Sequence, residues 1–161
     1  MGSALAHWRI AALAILLALH SGSQTADAVP FSLSTNARSG SVRAGNPVWI
    51  DVKMENKSKH RIAVYRAISE DMDQGGWVYL VDVRDEDGKS PAQTEYARRI
   101  GHGGDGGYIP LNPGEVLTEG INVSKLYDLG RARTYLIQVQ RFDDETKGFV
   151  KSNEIRVVAT R

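Results

Sequence analysis

The stretch from Tyr108 to Arg141, YIPLNPGEVLTEGINVSKLYDLGRARTYLIQVQR, constrains the fold more than any other part of the chain. Pro113-Gly114 is a turn signal, because proline presets its own φ and glycine accepts the positive φ that the following position requires. Glu115 to Val123 then reads as a strand with Leu117, Ile121 and Val123 on one face. Glu119 interrupts that face and marks a candidate bulge. Ser124 is placed to cap a single turn whose Leu126 and Leu129 fold onto the end of the structure. Thr134 to Arg141 is a second strand with Tyr135, Ile137 and Val139 facing inward. Two strands joined across such a plug predict a crossing between the two sheets of a β-sandwich. Gly114, Leu126 and Leu129 are its structural residues, and Tyr135 has the position of the tyrosine in a tyrosine corner.

The same period of two recurs upstream. Val48, Ile50, Val52 and Met54 alternate with Trp49, Asp51, Lys53 and Glu55, the pattern of a half-buried strand. Phe31 to Asn36 reads as an edge strand, Asn56 to His60 as a polar turn, and Ile62, Val64 and Arg66 as a continuation of the alternation. Trp77 to Arg84 is the most apolar strand and runs into Asp87-Gly88, a hairpin signal. Thr94 to Ile100 is expected as a strand on a wet edge. Gly101 to Gly107 reads as a flexible loop, and Asp143 to Gly148 as a charged hairpin loop. Ile155, Val157 and Ala159 close the last strand. The expected fold is all-β, an immunoglobulin-like β-sandwich of about 7–9 antiparallel strands.

Residues 1–28 are set apart from this pattern. Arg9 precedes an unbroken apolar run, Ile10 to Leu19, and Ala26-Asp27-Ala28 supplies a small-x-small site before Val29. The run falls short of the roughly 20 apolar residues that span a bilayer core. Residues 1–28 are therefore expected as a cleaved signal peptide, residues 29–161 as the sandwich domain, and the protein as secreted or periplasmic, with no membrane span after cleavage. The chain has 20 basic and 19 acidic side chains, and the signal segment takes one of each, so the net charge stays at +1. Such a balance does not call for nucleic acid. The absence of cysteine removes thiol chemistry and cysteine metal sites from consideration.

Candidate binding residues are few. Trp49 shares the outward face of Asp51 and Lys53, an unusual place for a large aromatic and a candidate contact. Asp71 and Asp73 in one loop, and Asp143 and Asp144 in another, form acidic turns whose spacing fits no dedicated calcium loop. No metal or cofactor is expected, His60 and His102 lack the HExxH spacing, and no G-x-S-x-G elbow is present, so an enzyme is not expected. Asn56-Lys57-Ser58 and Asn122-Val123-Ser124 match glycosylation sequons.

Leu111 to Thr118, Ile121 to Leu129 and Tyr135 to Val139, with Asn46 to Val52 and Asn56 upstream, resemble the non-catalytic β-sandwich domain of secreted peptidyl-Lys and deuterolysin-like zinc metalloendopeptidases. They are similar too to small β-sandwich proteinase inhibitors of bacilli. The metalloendopeptidases carry HExxH in a separate catalytic domain, and this sequence has no such motif. The resemblance implies a stand-alone accessory module: a non-catalytic secreted binding or structural protein with a protein partner of unspecified identity. The alternative is a proteinase inhibitor or protease-associated accessory protein.

Overall fold

The computed structural model describes residues 29–67, 78–99 and 106–161. The expected signal peptide, Asp71, Asp73, Trp77 and most of the glycine loop lie outside these residues. Among the described residues, no helix is long and apolar enough to cross a membrane.

Two principal layers face one another. The first contains β1 (Phe31–Ala37), β3 (Trp49–Asn56) and β7 (Val116–Asn122), in the order β1-β3-β7 and antiparallel throughout. The second contains β2 (Ser41–Arg43), β10 (Ile155–Thr160), β8 (Thr134–Asp143) and β5 (Leu80–Asp85) in that spatial order, with β9 (Gly148–Lys151) also paired to β8. A separate two-stranded ladder joins β4 (Ile62–Ala67) to β6 (Gly106–Leu111).

The alternating rows decide which faces meet. Ile50, Val52 and Met54 from β3 and Ile121 from β7 are fully buried, as are Val83, Ile137, Val139 and Val157 from the second layer. All belong to one hydrophobic core, to which the β4-β6 ladder adds Val64 and Leu111. Burying one such aliphatic side chain contributes roughly 1.5–3 kcal/mol, so these two facing rows are the main source of cohesion. The architecture is the all-β, sandwich-like one expected.

Its details depart from expectation in four places. Among the described residues the strands number ten, and β2 runs parallel to β10 rather than antiparallel. Where the sequence predicts a strand over Thr94 to Ile100, Glu95–Arg99 forms a short helix, α1, whose start is fixed by Ala97 N–H donating to Thr94 Oγ1 at 3.1 Å. Thr94 N–H in turn donates to Leu126 O, which holds α1 against the plug. The Asp85–Gly88 turn forms, with Gly88 at φ +75°, yet the chain continues to α1 instead of folding back as a hairpin. Glu119 makes no bulge: the β3-β7 register runs unbroken through Val52 opposite Glu119.

The edge of the second layer is interrupted where β9 gives way to β10, and Ser152 repairs the gap. Its N–H donates to Val139 O at 2.8 Å while its hydroxyl accepts from Val139 N–H at 3.0 Å, so both ladder groups of Val139 are satisfied. Neighbouring Asn153 reaches across to the first layer, accepting from Thr35 N–H at 2.9 Å and donating to Thr35 O at 3.0 Å.

Candidate functional site

Trp49 lies on the outward row with Asp51 and Lys53, and it is half-buried because Arg38 lies across its ring, 4.8 Å from the centroid. Arg38 is held there by Asp51, with Nε and Nη2 each 2.8 Å from Oδ1. Gly120, opposite Asp51 in the ladder, leaves the slot open: a Cβ there would collide with Arg38 Nη2. Much of the indole face is thus already covered by a cation from its own chain.

The acidic residues are not brought together. Asp143 is buried and accepts from Glu145 N–H at 3.3 Å and Thr146 N–H at 3.0 Å, so its carboxylate organises its own turn. Asp144 points to solvent, with Lys147 Nζ at 3.9 Å. Asp85 does the same work in its turn, accepting from Asp87 and Lys89 N–H at 3.0 and 2.9 Å and pairing with Arg133. These backbone donors, Lys89 first, hold its pKa below the usual carboxylate value against the opposing effect of burial. Among the described residues, no group of three or more His, Asp or Glu side chains is placed to hold a metal ion.

The four structural candidates occupy defined places. Gly114 has φ +76° in the turn closed by Glu115 N–H to Asn112 O. Tyr135 is buried, and its hydroxyl donates to Arg131 O at 3.1 Å, the backward bond of a tyrosine corner. Leu129 is buried, while Leu126, at the end of helix α2 (Val123–Leu126), is half-buried against the core. The cap of α2 is Asn122, whose Oδ1 accepts from Ser124 N–H; Ser124 Oγ instead accepts from Val48 N–H at 2.9 Å.

Both sequons are occupied internally. Asn56 is 1 % exposed, and its Nδ2 donates to His60 O and Leu111 O, each at 2.8 Å, while Oδ1 accepts from Ser58. Asn122 is buried as the α2 cap. Neither amide nitrogen is presented for glycosylation in the folded domain.

Two features escaped the sequence reading. The first is a cavity of about 490 Å³ between β4 and the end of β8, lined by Phe31, Ile62, Val64, Tyr65, Val78 and Arg141 among others. Arg141 is 6 % exposed; one terminal nitrogen, Nη2, donates to Tyr65 O, and the guanidinium carbon lies 5.2 Å from the centre of the Tyr79 ring. Tyr79 in turn donates to Glu119, which also faces Arg66 at 3.4 Å. The signal was present: Arg141 continues the inward row of Tyr135, Ile137 and Val139 by the same step of two.

The second is on the opposite face of β8. Phe142 and Phe149 are cross-strand partners with ring centres 5.3 Å apart and planes at 67°, an edge-to-face pair, and they are 44 % and 52 % exposed. Leu80, 52 % exposed, is paired to Gln140, two residues from Phe142 on the same face.

No protein-family model matches the chain, and no curated protein matches it. Among solved structures it is similar to a FixG-related protein from Vibrio parahaemolyticus, at 18% sequence identity and TM-score 0.41, covering 82% of this chain and 98% of that one.

Proposed function

We propose that this protein is a non-catalytic, extracytoplasmic β-sandwich module that binds a protein partner through the outer face of its second layer. The observation that carries this reading is the exposed Phe142–Phe149 pair with Leu80 beside it. Leaving three large apolar side chains about half exposed on one wet face forgoes part of the roughly 1.5–3 kcal/mol that full burial of each would contribute. Aromatic anchors of this kind dominate the energetics of protein interfaces. The apolar run and small-x-small site in residues 1–28 support export.

The test is capture from the native cell-envelope fraction with immobilised residues 29–161, comparing wild type, Phe142→Ser/Phe149→Ser and Trp49→Ser, each checked for folding by circular dichroism. A partner held by wild type and Trp49→Ser but lost with the double variant supports the reading. Capture unaffected by the double variant, or no capture by wild type, overturns it.

A further inference from the structure

We propose that the Phe142–Phe149 face receives a second copy of this chain, the two packing face to face about a two-fold axis that crosses the strands at the aromatic pair. The inference rests on the reading of this face as a docking surface and names its occupant. Phe142 and Phe149 stand opposite one another on β8 and β9. Past Phe142 the chain enters the tip of the hairpin, where Asp144 and Glu145 are exposed. Past Phe149, in the other direction along the ladder, comes Lys151, exposed on the same face and opposite Gln140. Asp144 has Lys147 at 3.9 Å, so the unbalanced negative charge of the tip is Glu145. Among the described residues, neither Glu145 nor Lys151 forms an ion pair. One acid and one base, each without a partner, thus flank the aromatic pair on its two sides.

A two-fold contact uses the same patch twice, so what lies on one side of the axis in one copy meets what lies on the other side in the second. Rotation about an axis across the strands brings the tip of one hairpin over the far end of the other copy's β9. Glu145 then meets Lys151 of the second copy, twice in each dimer, and the four phenylalanine rings close on one another at the centre. An aromatic centre inside a charged rim is the usual anatomy of a protein interface. Asp82 and Arg84, farther along the same face, are paired with each other and do not oppose the contact. Three half-exposed apolar side chains are few beside the roughly 800 Å² that each partner buries in a standard interface, so the dimer is reversible rather than obligate.

The test is sedimentation equilibrium of the protein purified from its own cells, from about 1 µM to about 1 mM, with Phe142→Ser/Phe149→Ser, Glu145→Lys and Lys151→Glu alongside. Wild type is expected to pass from monomer to dimer within this range, and the aromatic double variant to stay monomeric. Each charge reversal sets two like-charged contacts into the dimer and should weaken it about ten-fold. Glu145→Lys and Lys151→Glu mixed in equal amounts restore opposite charges at both contacts of a mixed dimer, so the mixture should associate about as tightly as wild type. Should the aromatic double variant fail to fold, the mixture decides alone, because both of its substitutions are at exposed positions. Wild type that stays monomeric throughout, a dimer that persists in the folded aromatic double variant, or a mixture that associates no better than either variant alone overturns the proposal. A monomer that still captures a different protein through Phe142 and Phe149 overturns the second copy and leaves the docking face in place; a monomer that captures nothing overturns both.

Discussion

The Tyr79 hydroxyl donates to Glu119 Oε2 across 2.6 Å, joining the residue that precedes β5 in the second layer to the middle of β7 in the first. Glu119 stands in the inward row between Leu117 and Ile121, where an aliphatic residue would ordinarily sit. Its carboxylate is acceptable there because a phenol and the Arg66 guanidinium both meet it.

That bond predicts an alkaline limit to stability. Burial first, and the Glu119 carboxylate second, push the Tyr79 pKa well above its usual 10.0. Burial also raises Tyr127 and Tyr135. Above about pH 10 the unfolded chain releases these protons while the folded chain keeps them, so stability falls as pH rises. Urea unfolding followed from about pH 8 to pH 12 should show this decline. Tyr79→Phe should flatten it; an unchanged slope in that variant would place Tyr79 in water.

Asp85 sets an opposite limit. Its pKa is held below the usual 3.8, chiefly by Lys89 N–H, so the stability it contributes is present above that value and is lost as pH falls through the lowered one. Asp85→Asn should weaken the acid dependence of thermal unfolding below about pH 4 while lowering stability at neutral pH. A variant with the wild-type acid profile would mean that another carboxylate governs it.

Asn56 ties three segments together: its side chain meets His60 O, Leu111 O and Ser58, and its backbone exchanges bonds with Gly114 N–H and Glu115 O. Asn56→Ala leaves the buried Leu111 carbonyl unmatched and should cost about 2–4 kcal/mol by denaturant unfolding. Asn56→Asp should cost more at neutral pH, because a carboxylate would face two carbonyl oxygens. Equal stability of all three proteins would contradict the buried network.

The plug divides its work unequally. Leu129 is 4 % exposed, so Leu129→Ala should cost about 2–5 kcal/mol. Leu126 is half-buried, and Leu126→Ala should cost less than half as much as the Leu129 change. A larger loss at Leu126 would reverse the assignment of which leucine seals the end.

The rows legible in the sequence were those where period two met full burial: Ile50, Val52 and Met54, then Tyr135, Ile137 and Val139. Where tertiary contacts outweigh local pattern, periodicity carries no signal. Glu95–Arg99 contains no buried residue, so no periodicity reports its helix; its placement depends on a bond to Leu126 far along the chain. β2 is only three residues long and carries no pattern, and its partner is the last strand. β6 begins in the glycine run and could not be told from loop. Arg141 was legible as a charge in an apolar row, and the Phe142–Phe149 pair follows once Asp143 is set opposite Gly148. The cover of Trp49 was not, since Arg38 reaches it through the gap left by Gly120.

The parallel pairing of β2 with β10 has a mechanical side. Ser41, Val42 and Arg43 lie beside Val158, Ala159 and Thr160 in the same direction. Tension drawn between the start of β2 and the end of β10 therefore acts along the strands, in shear, and loads their evenly spaced bonds together rather than peeling them singly. A load applied at those two points would be resisted by this short ladder, and its lifetime would be set by how fast those bonds yield.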